Sequence, residues 1–235
     1  MHSEKRHKFD RNRRFMTVLC YNNLMSTLLE DKLWRYPSLI ITESQLAQLL
    51  GGTTDSYSAR INRAVAKGHL IRLKRGVFCL GEKLNAKPLS FFEVAQFIYG
   101  PSYISLESAL SYHSLIPEAV YMTTSACIHR NKIVRNTLRH FSYHRLPTEN
   151  FFIEVEYIEQ GKNQFLMASP WKALLDYIYC RKVNGYDFSL VLDSLRIEPD
   201  ALPNITRAQL ENLKKYYHSK RINIFIDSIP KELIA

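Results

Sequence analysis

The chain has 235 residues, 46% hydrophobic and 23% charged, and carries a formal net charge of +10. A chain this long buries roughly 70% of its unfolded surface without a staple, and its composition excludes disordered, collagen-like and disulfide-scaffold classes. The charge is uneven: residues 1–83 hold 15 Lys/Arg against 7 Asp/Glu, whereas residues 84–235 hold 17 against 15. A concentrated positive field makes a polyanion such as nucleic acid the expected partner of the first part.

At the start, Lys5, Arg6, Lys8, Arg11, Arg13 and Arg14 precede an apolar run from Phe15 to Cys20. This imitates a secretion signal, but Asn22 and Asn23 break the run and no small-residue cleavage site follows. Residues 1–14 therefore read as a basic flexible arm. No run of about 20 apolar residues appears, so no membrane span and no membrane partner are expected. Cys20, Cys79, Cys127 and Cys180 are scattered, without a C-x-x-C pair or a His at zinc spacing. That usage fits reduced thiols in a cytoplasmic protein with no metal site and no cofactor.

Leu24, Leu28, Leu29, Leu33 and Trp34 recur at helical spacing and predict a helix over about 22–35, ended by Pro37. Thr42 followed by Gln45 three residues later is a capping box, Leu46, Leu49 and Leu50 supply an apolar face, and Gly51-Gly52 ends that helix. A third helix follows Thr53-Thr54-Asp55 and ends at Gly68. Leu70–Leu73 and Val77–Leu80 flank a Lys-Arg-Gly turn and predict a hairpin. Three helices and a hairpin in this order suggest a winged helix-turn-helix domain over residues 15–83.

The third helix is two-faced. Ile61, Ala64 and Val65 line an apolar seam with Tyr57 one turn earlier, and Ser56, Arg60, Arg63 and Lys67 form a polar stripe. Arg can fork onto guanine O6 and N7, whereas Ser and Lys reach phosphates. The hairpin adds Arg72, Lys74 and Arg75, which a wing lays beside the backbone. The expected DNA-binding set is thus Ser56, Tyr57, Arg60, Arg63, Lys67, Arg72, Lys74 and Arg75, on double-stranded DNA. An isolated charged helix face is more often merely solvated; here its place before a basic hairpin favours DNA.

From residue 84 the pattern changes to an α+β domain. Helices are predicted at Leu89–Tyr99, Ser105–Leu115, Pro170–Lys182, Phe188–Leu195 and Ala208–Ile226. Short alternating runs at Val120–Cys127, Leu138–Leu146, Phe151–Ile158 and Gln164–Met167 predict a central antiparallel sheet.

The stretch from Ala64 to Phe78 and the string Pro101-Ser102-Tyr103-Ile104-Ser105-Leu106-Glu107-Ser108-Ala109-Leu110-Ser111-Tyr112-His113-Ser114-Leu115-Ile116-Pro117 are similar to stretches of the AbiEi family. So are Phe141-Ser142-Tyr143-His144-Arg145-Leu146 and Ala168-Ser169-Pro170-Trp171-Lys172-Ala173-Leu174-Leu175-Asp176. These are antitoxin-repressors of bacterial abortive-infection operons. Ser114 stands where glycine is usual, Trp171 where an acidic residue is common and Phe78 where tyrosine is more usual. The resemblance implies autorepression through promoter inverted repeats and a C-terminal domain that counters a co-encoded nucleotidyltransferase-type toxin, without requiring a stable complex. It points to Glu107, Ser111, His113 and Lys172 as polar candidates for the antitoxin surface. The alternative is a regulator whose second domain senses a ligand or dimerises.

A catalytic role is the remaining class. Glu154 and Glu156 at i, i+2 of a strand would share one face and could hold a metal for a nucleic-acid enzyme. With Ile153, Val155 and Tyr157 opposite, that face reads more simply as the solvent side. His113 and His144 read as structural hydrogen-bonding groups, and Lys172 and Asp176 as an i, i+4 helix pair. No nucleophile triad, P-loop or dinucleotide fingerprint is present, so no enzyme activity is expected.

Overall fold

A computed structural model of the chain describes residues 29–84, 89–135, 138–160, 163–181 and 186–235. The basic arm over 1–14, Cys20 and the first half of the predicted helix at 22–35 lie outside them. The chain divides into two units, Met1–Leu89 and Ser90–Ala235.

In the first unit residues 29–34 are helical (α1) and bury Leu29 and Leu33, while Trp34, expected on the same stripe, is exposed. Strand β1 (Ile40–Thr42) runs straight into helix α2 (Glu43–Leu50). The capping box forms: the Thr42 hydroxyl accepts from the Gln45 backbone N–H, and the Gln45 side chain accepts from the Thr42 N–H. Helix α3 (Thr54–Ala66) starts at Thr53, which makes no side-chain cap. It ends at Gly68 in a left-handed turn, with Gly68 N–H donating to Val65 and His69 N–H to Ala64. Those two bonds satisfy carbonyls that the helix leaves open.

Strands β2 (Leu70–Lys74) and β3 (Val77–Leu80) follow, and β3 lies between β1 and β2 in an antiparallel sheet. The core joins Leu29 and Leu33 of α1 to Ile41, Leu46, Leu50, Ile61, Ala64, Leu70 and Phe78. Each of the six elements gives its apolar face to one cluster, as a small layered domain requires.

The second unit is built on a six-stranded sheet. Its elements are α4 (Phe91–Ile98), β4 (Ser102–Ile104), α5 (Glu107–Tyr112), β5 (Met122–Cys127), β6 (Lys132–Arg135) and β7 (His140–Arg145). Then come β8 (Val155–Gln160), β9 (Asn163–Ala168), α6 (Pro170–Cys180), α7 (Phe188–Leu195), α8 (Arg207–Tyr217) and α9 (Lys220–Asp227). The order across the sheet is β6-β7-β5-β4-β9-β8.

The sheet is mixed, which corrects the expected antiparallel one: β5 pairs parallel with β7, and β4 parallel with β9. The physical reason is β6. The chain leaves β5, runs back as β6, and then lays β7 between the two, so that β7 follows the direction of β5. Helices cover both faces. The Tyr143 hydroxyl donates to Ala95 of α4, while the next residue, His144, sits in the field of Glu107 on α5 and Arg181 after α6. The predicted single helix over Ala208–Ile226 is two helices, broken where His218 adopts a left-handed backbone.

Candidate nucleic-acid interface

The first unit brings most of the predicted DNA-binding residues to its surface. Ser56, Arg63 and Lys67 on or just after α3, and Arg72, Lys74 and Arg75 on the hairpin, are exposed. The turn is tight, since Lys74 pairs with Val77 and only Arg75 and Gly76 connect the strands. Gly76 takes a positive φ of 75° and its carbonyl accepts from Glu43 N–H at 2.8 Å. That bond pins the hairpin tip to the start of α2, so Lys74 and Arg75 are carried on a braced turn.

Two residues are held differently from the others. Tyr57 is half-buried against the apolar cluster, in the seam that its spacing predicts. Arg60 is half-buried too: its Nη1 donates to the Leu50 carbonyl at 3.2 Å, and its Nε has no hydrogen-bond partner among the described residues. Leu50 closes α2, where a carbonyl lacks a partner in its own helix. Arg60 thus clamps the end of α2 to α3.

The hairpin and α3 meet through Arg72. Its Nη2 donates to Asn62 Oδ1 at 3.2 Å, and its guanidinium lies 4.8 Å from the Phe78 ring centroid. Asn62 escaped the sequence reading, although it lies one residue before Arg63 and is exposed. The exposed side of α3 runs through Asp55, Ser56, Ala59, Asn62, Arg63 and Ala66 and on to Lys67 just after the helix. Two alanines on that side keep the backbone open to close approach, and an amide is the side chain that pairs with adenine N6 and N7.

In the second unit the predicted surface candidates separate. Glu107 is half-buried and accepts from Arg181 Nε at 2.9 Å. Ser111 is half-buried, and His113 bonds the Ala168 carbonyl through Nε2 at 2.8 Å. Lys172 is not on the surface at all: it is 0% exposed, as is Asp176. The i, i+4 pair read as an ordinary helix salt bridge is the centre of a buried polar network.

Lys172 Nζ donates to Asp176 Oδ1 at 2.7 Å and to the Tyr217 hydroxyl at 3.0 Å, and lies 4.0 Å from the Tyr216 ring centroid. Asp176 also accepts from Tyr217, from Tyr103 at 3.0 Å and from Ser105 at 2.6 Å. Burial pushes the Lys172 ammonium below its ordinary range, against the pull of Asp176. Burial, reinforced by the Asp176 charge, holds the Tyr103 and Tyr217 hydroxyls well above theirs. They stay neutral and donate to the carboxylate. The network ties β4, α6 and α8 together and is closed to solvent.

The carboxylate pair also departs from expectation. Glu154 precedes β8 with a left-handed backbone, and both its carboxylate oxygens accept from Gln209 Nε2 at 3.2 Å. Strand alternation therefore does not set it beside Glu156. Among the described residues no group of three or more His, Cys, Asp or Glu could hold a metal ion. None of the described helices is long and apolar enough to cross a membrane. A comparison with protein-family profiles finds no match, and neither does a comparison with curated proteins.

Proposed function

We propose that this chain is a DNA-binding regulator whose first unit acts as a winged helix, with α3 in the major groove and the β2–β3 hairpin beside the backbone. The observation that carries the reading is the exposed basic set of Arg63 and Lys67 on α3 with Lys74 and Arg75 on the braced hairpin turn. The element order, with β3 between β1 and β2, supports it. So does the charge, since a basic surface on one compact unit binds phosphates by releasing counterions.

By its resemblance to the AbiEi antitoxins, the chain represses its own promoter at inverted repeats, and its second unit counters a co-encoded nucleotidyltransferase-type toxin. One feature of the second unit supports that alignment. Ser114, which stands where the family usually has glycine, has a positive φ of 60°, the backbone that glycine adopts at least cost.

A mobility shift with the chain's own promoter, against an unrelated fragment of equal length, tests the proposal. Affinity falls with salt by about 0.9 log units per log unit for each phosphate contacted. Arg63→Ala costs about 1–3 kcal/mol and relaxes sequence preference, whereas Lys74→Ala and Arg75→Ala weaken both fragments alike. Equal affinity of the native chain for both fragments rejects the repressor.

A further inference from the structure

The second unit holds a cleft of about 900 Å³ between the segment that follows β7 and the C-terminal part of α8. Tyr216 braces it, donating from its hydroxyl to the Pro147 carbonyl at 3.0 Å. Arg145 enters from the end of β7, Lys215 from α8, His218 from the break after it, and Tyr179 from α6. The volume lies within the range of small-molecule sites, but the lining is more polar than usual: Tyr179, Tyr216, Leu146 and Ile153 form its apolar side, and the exposed side chains of Arg145, Thr148, Asn212 and Lys215 form its rim.

The charges in this cleft are not spent on each other. Lys214, one residue before Lys215, is tied to Asp227 at 2.6 Å and to Glu211 at 3.7 Å. Among the described residues neither Arg145 nor Lys215 has a carboxylate within 4.0 Å, although Glu149 lines the same cleft. Two cations line one concavity, beside one carboxylate, in a part of the chain whose charges otherwise nearly balance. The carbonyl end of α8 opposes an anion with about half a charge, so the side-chain cations have to carry any recognition. A guanidinium and an ammonium set around one space match phosphate oxygens, the first as a fork and the second as a point charge.

We propose that this cleft binds a small phosphate-bearing ligand, with Arg145 and Lys215 on the phosphate and the Tyr179–Tyr216 side against its organic part. This is independent of the DNA reading, which rests on the other unit.

The test uses the full chain and calorimetric titration with inorganic phosphate and with nucleoside 5′-monophosphates, beside a duplex-DNA titration. A monophosphate binds saturably and more tightly than inorganic phosphate. Arg145→Gln and Lys215→Gln each weaken it by about tenfold, the loss of one charge-assisted contact, and leave duplex affinity and the unfolding midpoint unchanged. Tyr179→Leu weakens the monophosphate and not inorganic phosphate. Absence of saturable binding by every small probe overturns the proposal, as does equal binding by the native chain and both charge variants. Loss of duplex affinity in those variants, with no small phosphate bound, assigns the cations to the DNA backbone and overturns it too.

Discussion

Lys172 and Asp176 show how one pair of residues can be read two ways. At spacing i, i+4 they match the commonest surface pair on a helix. In the fold both are fully buried, and the carboxylate accepts from Lys172, Tyr103, Ser105 and Tyr217. The sequence does hold a signal: apart from the pair itself, Pro170–Cys180 is apolar or aromatic at every position, and a helix apolar on all sides is an interior helix. Taking one charge from such a pair strands the other. Lys172→Met is expected to destabilise the second unit by about 3–5 kcal/mol, and Lys172→Met with Asp176→Leu to recover none of it, because the second change leaves the buried hydroxyls of Tyr103, Ser105 and Tyr217 without their acceptor. Urea unfolding of the two variants measures it. A single variant as stable as the native chain would mean that Asp176 is satisfied by its hydroxyl partners alone.

Where the elements end is decided by a few residues with unusual backbone. Helix α5 closes at His113, and the next residue, Ser114, is left-handed. Ser114 N–H donates to Ser111 and Leu115 N–H to Leu110, which is the pairing that closes α3 at Gly68. A side chain in that conformation costs about 1–2 kcal/mol, part of which glycine returns through its freer unfolded chain. Ser114→Gly should therefore raise the stability of the second unit by about 0.5–1 kcal/mol. A thermal shift of zero or below would mean that the Ser114 side chain stabilises its own turn.

The same bonds explain what was legible in advance. Thr42–Gln45, Gly51 and Gly68 are local punctuation, and α2 and α3 sit within a residue or two of their predicted bounds. Helix α7 matches its prediction residue for residue. The break at His218 carries no glycine or proline, and Ser219, the N-cap of α9, makes no side-chain cap there. Strands β1, β4 and β6 are three or four residues long, too short for alternation to declare them. Pairing direction was hidden for a further reason: alternation reports which face a side chain takes, and says nothing about whether a neighbour runs parallel. On α3, helical spacing alone points to the exposed stripe through Arg63 and Lys67. Arg60 was turned inward by a carbonyl at the end of α2, a tertiary partner that helical periodicity does not contain.

At the scale of the whole chain the two units differ in the kind of surface they offer. Residues 1–83 carry nearly all of the net charge and the exposed basic stripe of α3, while the second unit has near-balanced charge, helices packed on the central strands of its sheet, and a buried polar centre. A module that only occupied an operator would need no second unit of this size, unless it served dimerisation, ligand sensing or a second activity. The proposed antitoxin reading therefore predicts that DNA binding and toxin rescue separate in the intact chain. With the neighbouring toxin expressed from an unrelated promoter, repression cannot contribute to survival. The triple variant Arg63→Ala, Lys74→Ala and Arg75→Ala, all exposed positions, should lose operator binding and still restore growth. Ser111→Arg, a half-buried site on α5 where a long charged side chain can turn outward, should keep operator binding and lose rescue. Its unfolding midpoint has to match that of the native chain for the result to count as a surface effect. If the triple variant fails to restore growth, the two activities share the first unit, and the second unit is left with ligand sensing or dimerisation.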